Sequence, residues 1–204
     1  MTGDPATREH RFTEAGARKY EALLDAAERV MTNQGVDSSL RVIAVEAGVR
    51  VGHLQHYFPS RAELIRAALD RVLRRSLNRL MKATGLRTGA ADQFVDPEHV
   101  VAVVLDEQND PLLVRLYVEI WALAARDETI AAVVREFYRG YAQHVAEFIG
   151  GRCPDLPADV RWARAETFVG LMEGMALVRS DVGGMRRAAT STETARIAVA
   201  LLTD

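Results

Sequence analysis

The stretch from Ser39 to Arg61, SLRVIAVEAGVRVGHLQHYFPSR, decides the fold of the front of the chain. Its apolar residues recur at three- and four-residue steps on both sides of Gly48, which is the spacing of helices with one buried face. A glycine at this point suits a tight turn with positive φ, where a side chain would be strained. Two short helices joined in this way form a helix-turn-helix, in which Ser38 or Ser39 can cap the first helix and Pro59 closes the second.

The inner face of this motif is apolar, and the outer face carries basic, polar and small side chains. In the major groove of DNA an arginine can pair with guanine, a glutamine can pair with adenine, and a valine can contact a thymine methyl group. The residues predicted to contact DNA are Ser39, Arg41, Arg50, Val51, Gly52, His53, Gln55, His56, Tyr57 and Arg61. The same two-helix shape also occurs as plain packing, so the spacing alone leaves both interpretations open.

His53 and His56 are three residues apart, and the pair raises the alternatives of a metal site or acid–base catalysis. Cys153 is the only cysteine, and the nearest carboxylates, Glu46 and Glu63, are expected on other helices. A short exposed helix offers no pocket to shift a histidine pKa. The chain also has neither a phosphate-binding glycine loop nor a nucleophile elbow. We therefore expect no metal, no cofactor and no enzymatic activity.

Helical periodicity continues through almost the whole chain, and no segment alternates as a strand would. About nine helices are predicted, and glycine, serine or proline bounds most of them. They cover residues 18–33, 39–47, 51–57 and 60–85, stretches that begin at Pro97 and at Pro111, and residues 128–149, 158–179 and 192–202. The pair Gly150-Gly151 is expected to end the seventh helix. The predicted fold class is all-α, with three small helices in front of a larger helical body.

Composition narrows the class of protein. The chain has 204 residues and a formal net charge of -2, which excludes a uniformly basic nucleic-acid binder but allows a local basic patch. A single cysteine excludes a disulfide within the chain, and no apolar run approaches the roughly 20 residues that span a bilayer. A cytoplasmic protein without a membrane partner is expected. Residues 1–15, with Arg8 and Arg11, are predicted to be a flexible basic arm that either enters a minor groove or is solvated.

The segment from Ser39 to Arg61 resembles the signature of the TetR family of transcriptional regulators. The positions that match are Ile43, Ala44, Ala47, Gly48, Val49, Gly52, Leu54, Tyr57, Phe58, Ser60 and Leu64. Three positions depart from the family's pattern, because Arg50 replaces a serine or threonine, Gln55 replaces a tyrosine that typically touches a phosphate, and Arg61 replaces a lysine. The resemblance implies a DNA-binding domain at residues 16–76, with its motif at 39–58, and a helical regulatory and dimerisation domain at residues 77–204.

The resemblance also implies a homodimer that binds a palindromic operator in double-stranded DNA, with the last two long helices at the interface. The residues agree with this, because both helices carry apolar faces and two glycines four residues apart would allow close approach. The predicted interface residues are Phe168, Gly170, Leu171, Gly174, Met175, Ile197 and Leu201. The residues alone leave open that these faces complete the core of a single protomer.

A pocket for a small organic effector, inside the helical body, is a further implication of the resemblance. The predicted pocket residues are Tyr117, Trp121, Phe137, Tyr141, His144, Phe168 and Met172, with Glu119, Glu173 and Arg179 as candidates to supply charge. The expected function is that of a sequence-specific transcriptional repressor, which an unidentified effector releases from its operator. The alternatives are a helical protein-interaction module that does not bind DNA and a helical enzyme.

Overall fold

A computed structural model describes residues 13–36, 38–83 and 95–203. Within these ranges the chain forms nine α-helices and no strand, which confirms the predicted all-α class. The helices are α1 (Glu14–Gln34), α2 (Leu40–Glu46), α3 (Val51–Tyr57), α4 (Arg61–Ala83), α5 (Pro97–Glu107), α6 (Pro111–Ala124), α7 (Glu128–Arg152), α8 (Ala158–Arg179) and α9 (Ala188–Thr203). We call α1 to α3 the head and α5 to α9 the body, and α4 joins the two.

The first helix begins earlier than its apolar periodicity predicted. The hydroxyl oxygen of Thr13 accepts a hydrogen bond from the backbone N–H of Gly16 at 3.3 Å and caps the helix. Gly35 ends it with a φ of +86°. The arm predicted over residues 1–15 is therefore too long by its last three residues, because the cap and first turn of α1 occupy them. Residues 1–12, with Arg8 and Arg11, lie outside the described part of the chain.

The helix-turn-helix forms as its cap and its glycine predicted. The hydroxyl oxygen of Ser39 accepts from the backbone N–H of Val42 and so starts α2. Gly48 adopts a φ of +63°, in the left-handed region that favours glycine. The N–H of Val49 then donates to the carbonyl of Ala44 at 2.9 Å and closes the turn. This geometry fixes the direction in which α3 leaves α2.

The head has its own apolar core. Leu54, fully buried, anchors α3 to the two helices before it. The ring of Phe58, directly after α3, lies 4.9 Å from the ring of Tyr20 on α1. Ile43 and Ala44 of α2 are buried in the same cluster, as predicted. Because α3 is only seven residues long and buries one of them, most of its other side chains remain at the surface.

The helix α4 is 23 residues long, or about 34 Å, and contacts both α1 and the body. Arg71 on α4 forms ion pairs with three acidic residues of α1, at 2.6 Å from Glu21, 2.9 Å from Asp25 and 2.6 Å from Glu28. Burial alone would lower the pKa of Arg71, but the hydrogen bonds to Glu28 and Glu21 outweigh it and raise the pKa. A charged guanidinium therefore fastens the head to α4. The domain boundary predicted after residue 76 lies inside this helix.

The central helix of the body is α7, which packs against α4, α6, α8 and α9. It continues through Gly150 and Gly151 to Arg152, so the helix end predicted at the glycine pair is wrong. A Cβ at Gly150 would collide with the guanidinium of Arg161 on α8, so this glycine makes room for a neighbouring helix. The last helix begins at Ala188, four residues before its predicted start. No helix in the described ranges is both long and apolar enough to cross a membrane.

Candidate nucleic-acid interface and ligand cavity

The outward face of α3 collects most of the residues predicted to contact DNA. Gly52, His53, Gln55 and His56 are exposed, while Leu54 between them is fully buried. Tyr57 is half-buried, and its ring meets the edges of both histidine rings, at 5.5 Å from His53 and 5.4 Å from His56. The two histidines and the tyrosine thus form one aromatic edge beside the exposed Gln55.

The residues flanking α3 extend this surface. Arg50 occupies the capping position of α3, makes no side-chain capping bond and is exposed. Val51 is half-buried at the start of the helix, and Arg41 on α2 is exposed. A Cβ added at Gly52 would have no neighbouring atom within 4 Å, so packing within the protomer does not require a glycine there. A glycine at this exposed point leaves room for an external group to approach the backbone.

Arg61 has a different place from the one predicted. Its Nε donates to the carbonyl oxygen of Ser38 at 3.0 Å, and its Nη2 donates to the carbonyl oxygen of Val36. Both acceptors lie in the connection between α1 and α2, which offers carbonyls that no helix uses. The guanidinium therefore holds this connection against the first turn of α4, and we withdraw Arg61 from the DNA-contact set. Ser39, whose hydroxyl caps α2, remains exposed beside this connection.

The histidine pair does not gather further metal ligands. Glu46 accepts from Nε of Arg29 at 2.7 Å, which ties it to α1, and Glu63 lies on α4. Among the described residues, no group of three or more histidine, cysteine, aspartate and glutamate side chains is arranged to hold a metal ion.

A cavity lies in the body, bounded by α4, α5, α6, α7 and α8. Its free volume is about 60 Å³, and it opens to solvent. Four predicted pocket residues line it, namely Tyr117, Trp121, Phe137 and Tyr141, and so does Glu173. The remaining lining residues are Ser76, Leu77, Leu80, Val103, Val104, Glu107, Gln108, Leu113, Val114, Ala176 and Leu177. The enclosure is thus mostly apolar and aromatic, with a few polar groups, as small-molecule sites usually are.

A chain of hydrogen bonds crosses one wall of the cavity. Nε1 of Trp121 donates to the hydroxyl oxygen of Tyr138 at 2.7 Å, and that hydroxyl donates to Oε2 of Glu173 at 3.2 Å. The hydroxyl of Tyr117 donates to the hydroxyl oxygen of Ser76 on α4 at 3.1 Å. Burial raises the pKa of Glu173 to about 7, and the hydrogen bond from Tyr138 opposes this only in part.

Gln108 brings a second acceptor to the cavity. Its Nε2 donates to the carbonyl oxygen of Met172 at 2.8 Å. Its Oε1 is buried and accepts no hydrogen bond from any described residue. Gln108, Glu107 and Tyr138 were not among the predicted pocket residues, because they lie outside the apolar and aromatic stripes that supplied most of the candidates.

The other predicted pocket residues lie elsewhere. His144, Phe168 and Met172 are buried in the core but do not line the cavity, and burial lowers the pKa of His144. Glu119 is also absent from the lining. Nη2 of Arg179 donates to Oδ1 of Asn109 at 3.0 Å, at the outer side of the α5–α6 connection. Apolar spacing identified which side chains are buried, but it did not distinguish the core from the cavity wall.

The outer face of α8 and α9 carries the remaining predicted interface residues. Gly170 and Gly174 are exposed, and a Cβ at either would meet no atom within 4 Å. Ile197 is 38% exposed, whereas Leu171, Met175 and Leu201 are half-buried. Phe168 is 0% exposed and packs inside the protomer, so it is removed from the predicted interface.

Comparisons with known proteins agree with this architecture. Residues 23–68 match the model of bacterial regulatory proteins of the tetR family. An HTH-type transcriptional regulator of Xanthobacter autotrophicus, from the dhlA 5′ region, is 28% identical over 131 residues. The match covers 63% of this chain and 64% of that relative, so it spans less than two thirds of the relative's length.

Solved structures share the same fold at lower identity. A transcriptional regulator of Streptomyces coelicolor superposes with a TM-score of 0.73 at 22% identity, covering 92% of this chain and 99% of that one. A transcriptional regulator of Saccharomonospora viridis in complex with choline gives a TM-score of 0.68 at 16% identity, covering 89% and 94% of the two chains.

Proposed function

We propose that the chain is a member of the TetR family of bacterial regulatory proteins and acts as a sequence-specific DNA-binding repressor, which a small organic effector releases from its operator. The observation that carries the proposal is the outward face of α3, where Gly52, His53, Gln55 and His56 stand exposed behind the Gly48 turn. The protein would act on double-stranded DNA in the cytoplasm.

The outward face of α3 has the chemistry of a recognition helix. Gln55 supplies a donor and an acceptor for adenine, and exposed Arg41 and Arg50 supply cations for guanine or for phosphates. Gly52 leaves space for a phosphate close to the backbone. Phosphate contacts by these arginines predict that affinity falls steeply as salt rises, because bound counter-ions are released.

We further propose that two copies pair through the outer face of α8 and α9 and so present two heads to a palindrome. The exposed Gly170, Gly174 and Ile197 support this, because they leave an apolar, closely approachable strip on terminal helices. In such a dimer the two α3 helices would enter successive major grooves about 34 Å apart.

The position of the cavity supports the proposed release by an effector. Ser76, Leu77 and Leu80 of α4 line it, and Arg71 of the same helix fastens the head. A molecule that binds the cavity and favours another position of α4 would lower the affinity for DNA by the same factor as DNA lowers the affinity for that molecule. The choline complex of the Saccharomonospora viridis regulator supports a small organic occupant.

Selection of bound sequences from random duplex DNA tests the proposal. We expect a two-fold symmetric site whose affinity falls by about tenfold, or 1.4 kcal/mol, in Gln55→Ala. The matched control is Gln143→Ala, which changes an exposed glutamine on α7, far from the head, and should bind like the parent. If selection with the purified protein enriches no sequence, the proposed function is wrong.

A further inference from the structure

The charged residues that line the cavity of the body are both acidic. Its described lining residues include two carboxylates, Glu107 and Glu173, and no arginine, lysine or histidine. Glu107 is already paired with Arg79 of α4. Glu173 lies between helices and accepts only the neutral hydroxyl of Tyr138 among the hydrogen bonds of the described residues. The cavity thus contains one carboxylate without a cationic partner in the described part of the chain.

The hydrogen-bonding groups of the cavity show a second imbalance. The donors of Trp121, Tyr138 and Tyr117 are engaged with protein acceptors. Oε1 of Gln108, in contrast, is a buried acceptor that no described residue satisfies. A buried acceptor left unpaired is unfavourable, so a bound molecule that donates a hydrogen bond to it would recover this loss. The cavity therefore offers one buried acceptor to a donor of the bound molecule.

Aromatic rings complete the surroundings. Tyr117 and Phe137 have ring centroids 6.3 Å apart, and Phe137 and Tyr141 have centroids 6.0 Å apart. These rings line the same cavity as Glu173. The face of an aromatic ring attracts cations, and the attraction grows when water is excluded. Rings, a carboxylate and an unpaired acceptor all favour the same chemical class of occupant.

We propose that the cavity binds a small organic cation that carries an N–H donor, with Glu173 as its counter-ion and Oε1 of Gln108 as a second acceptor. The inference rests on the proposed function only in that this cation would be the effector. The free volume of about 60 Å³ limits the size of the bound molecule. An apolar cavity of roughly 150 Å³ holds one benzene ring, so a single ring with an aminomethyl group must extend into the opening to solvent or displace lining side chains.

Binding of such a cation is linked to a proton. Burial holds the pKa of the Glu173 carboxyl at about 7, and a cation binds its ionised form. The titratable and charged groups around the cavity are Tyr138 and Tyr141 of α7, Tyr117 of α6, Glu107 of α5 and Arg79 of α4. Burial raises the pKa of all three tyrosines, so they stay neutral near pH 7. Affinity for the cation is therefore expected to rise with pH as Glu173 loses its proton.

Calorimetric titration of the full-length protein with three matched probes tests the proposal. The probes are benzylammonium, its neutral analogue benzyl alcohol and its anionic analogue benzoate. We expect benzylammonium to bind at least about tenfold more tightly than either analogue, and its affinity to rise roughly tenfold from about pH 6 to about pH 8. Glu173→Gln should remove both the preference and the pH dependence, while Glu136→Gln, which neutralises an exposed carboxylate of α7, should retain both.

Gln108→Leu provides a second variant if Glu173→Gln folds poorly, and it should weaken benzylammonium several-fold without affecting the pH dependence. Equal affinity for benzylammonium and benzyl alcohol, no binding of benzylammonium, or an unchanged affinity in Glu173→Gln would each overturn the inference. Binding of operator DNA by the probe-free protein is measured in parallel. Failure of cation binding with intact operator binding rejects this inference alone, whereas loss of operator binding rejects the proposed function.

Discussion

Nε of Arg71 on α4 lies 2.6 Å from Oε1 of Glu28 on α1, and both side chains are largely buried. The same guanidinium reaches Glu21 and Asp25, so one residue gathers three carboxylates from a neighbouring helix. The contact joins the helix that carries the head's core to the helix that lines the cavity. These ion pairs are therefore expected to contribute to the stability of the protein and to couple the position of the head to that of α4.

Replacing Arg71 by methionine should lower the free energy of unfolding by about 2 kcal/mol, because three clustered carboxylates would lose their shared cation and the largely buried Glu28 would keep only the more exposed Arg75. Urea unfolding followed by circular dichroism measures this. The matched control is Arg74→Met, which breaks an exposed pair with Asp70 one turn away and should cost less than about 1 kcal/mol. Equal losses in the two variants would show that the buried cluster has no special role.

Two glycines of the helix-turn-helix should respond in opposite ways to alanine. Gly48→Ala places a side chain at a φ of +63° and should lower stability by about 1–2 kcal/mol. Gly52→Ala puts a methyl group into open space on a helix and should raise stability by roughly 0.5–1 kcal/mol. Thermal unfolding compares the two, and operator affinity should nevertheless fall in Gly52→Ala if α3 binds DNA as proposed, because the added methyl group would then face the DNA. A stable variant that binds DNA like the parent would remove Gly52 from the contact surface.

The head was the part of the chain best predicted from sequence, because its determinants are local. The Ser39 cap, the Gly48 turn and the buried Leu54 each act within a few residues of their partners, so spacing is enough to identify them. Arg61 was misplaced for the opposite reason. Its carbonyl partner on Val36 is 25 residues away, and only the folded chain brings the two together.

The cavity was predicted in part. Tyr117, Trp121, Phe137 and Tyr141 follow from aromatic side chains on the inner faces of two helices. Gln108 could not be found in this way, because its importance lies in a buried acceptor that has no partner, and this depends on the packing of α5 against α8. The charge environment of Glu173 is likewise a property of several helices together.

The predicted dimer can be tested at the exposed glycines of α8. Because a side chain at Gly170 or Gly174 meets no atom of its own protomer, the double variant with arginine at both positions should fold normally but sediment as a monomer. Sedimentation equilibrium measures the change, with an expected loss of dimer affinity of at least about 100-fold, or 2.7 kcal/mol. Gly151→Arg, at another exposed and open glycine, is the control. A dimer that persists would place the interface elsewhere.

The stability of the protein without a bound cation should depend on pH through Glu173. Its carboxyl has a pKa of about 7 when folded, above its value of 4.5 in an unfolded chain, so folding favours the protonated form. The contribution of Glu173 to the free energy of unfolding is therefore fully present below about pH 4.5 and is lost as the pH rises through about 7. The total loss amounts to about 3 kcal/mol. Urea unfolding across this window should show the loss in the parent and not in Glu173→Gln. If the free energy of unfolding changes with pH in the same way in both proteins, the pH dependence does not come from Glu173.

The helix α4 is long enough for a small tilt at the cavity to produce a large displacement at the head. Ser76 and Leu80 touch the cavity, and Arg61 at the head end is about 15 to 19 residues away, or roughly 22–28 Å along the axis. A tilt of about 10° pivoting at the cavity would swing the far end by roughly 4 Å, about a third of the width of a major groove. In the proposed dimer, a tilt of this size would shift each recognition helix relative to the major groove that it enters.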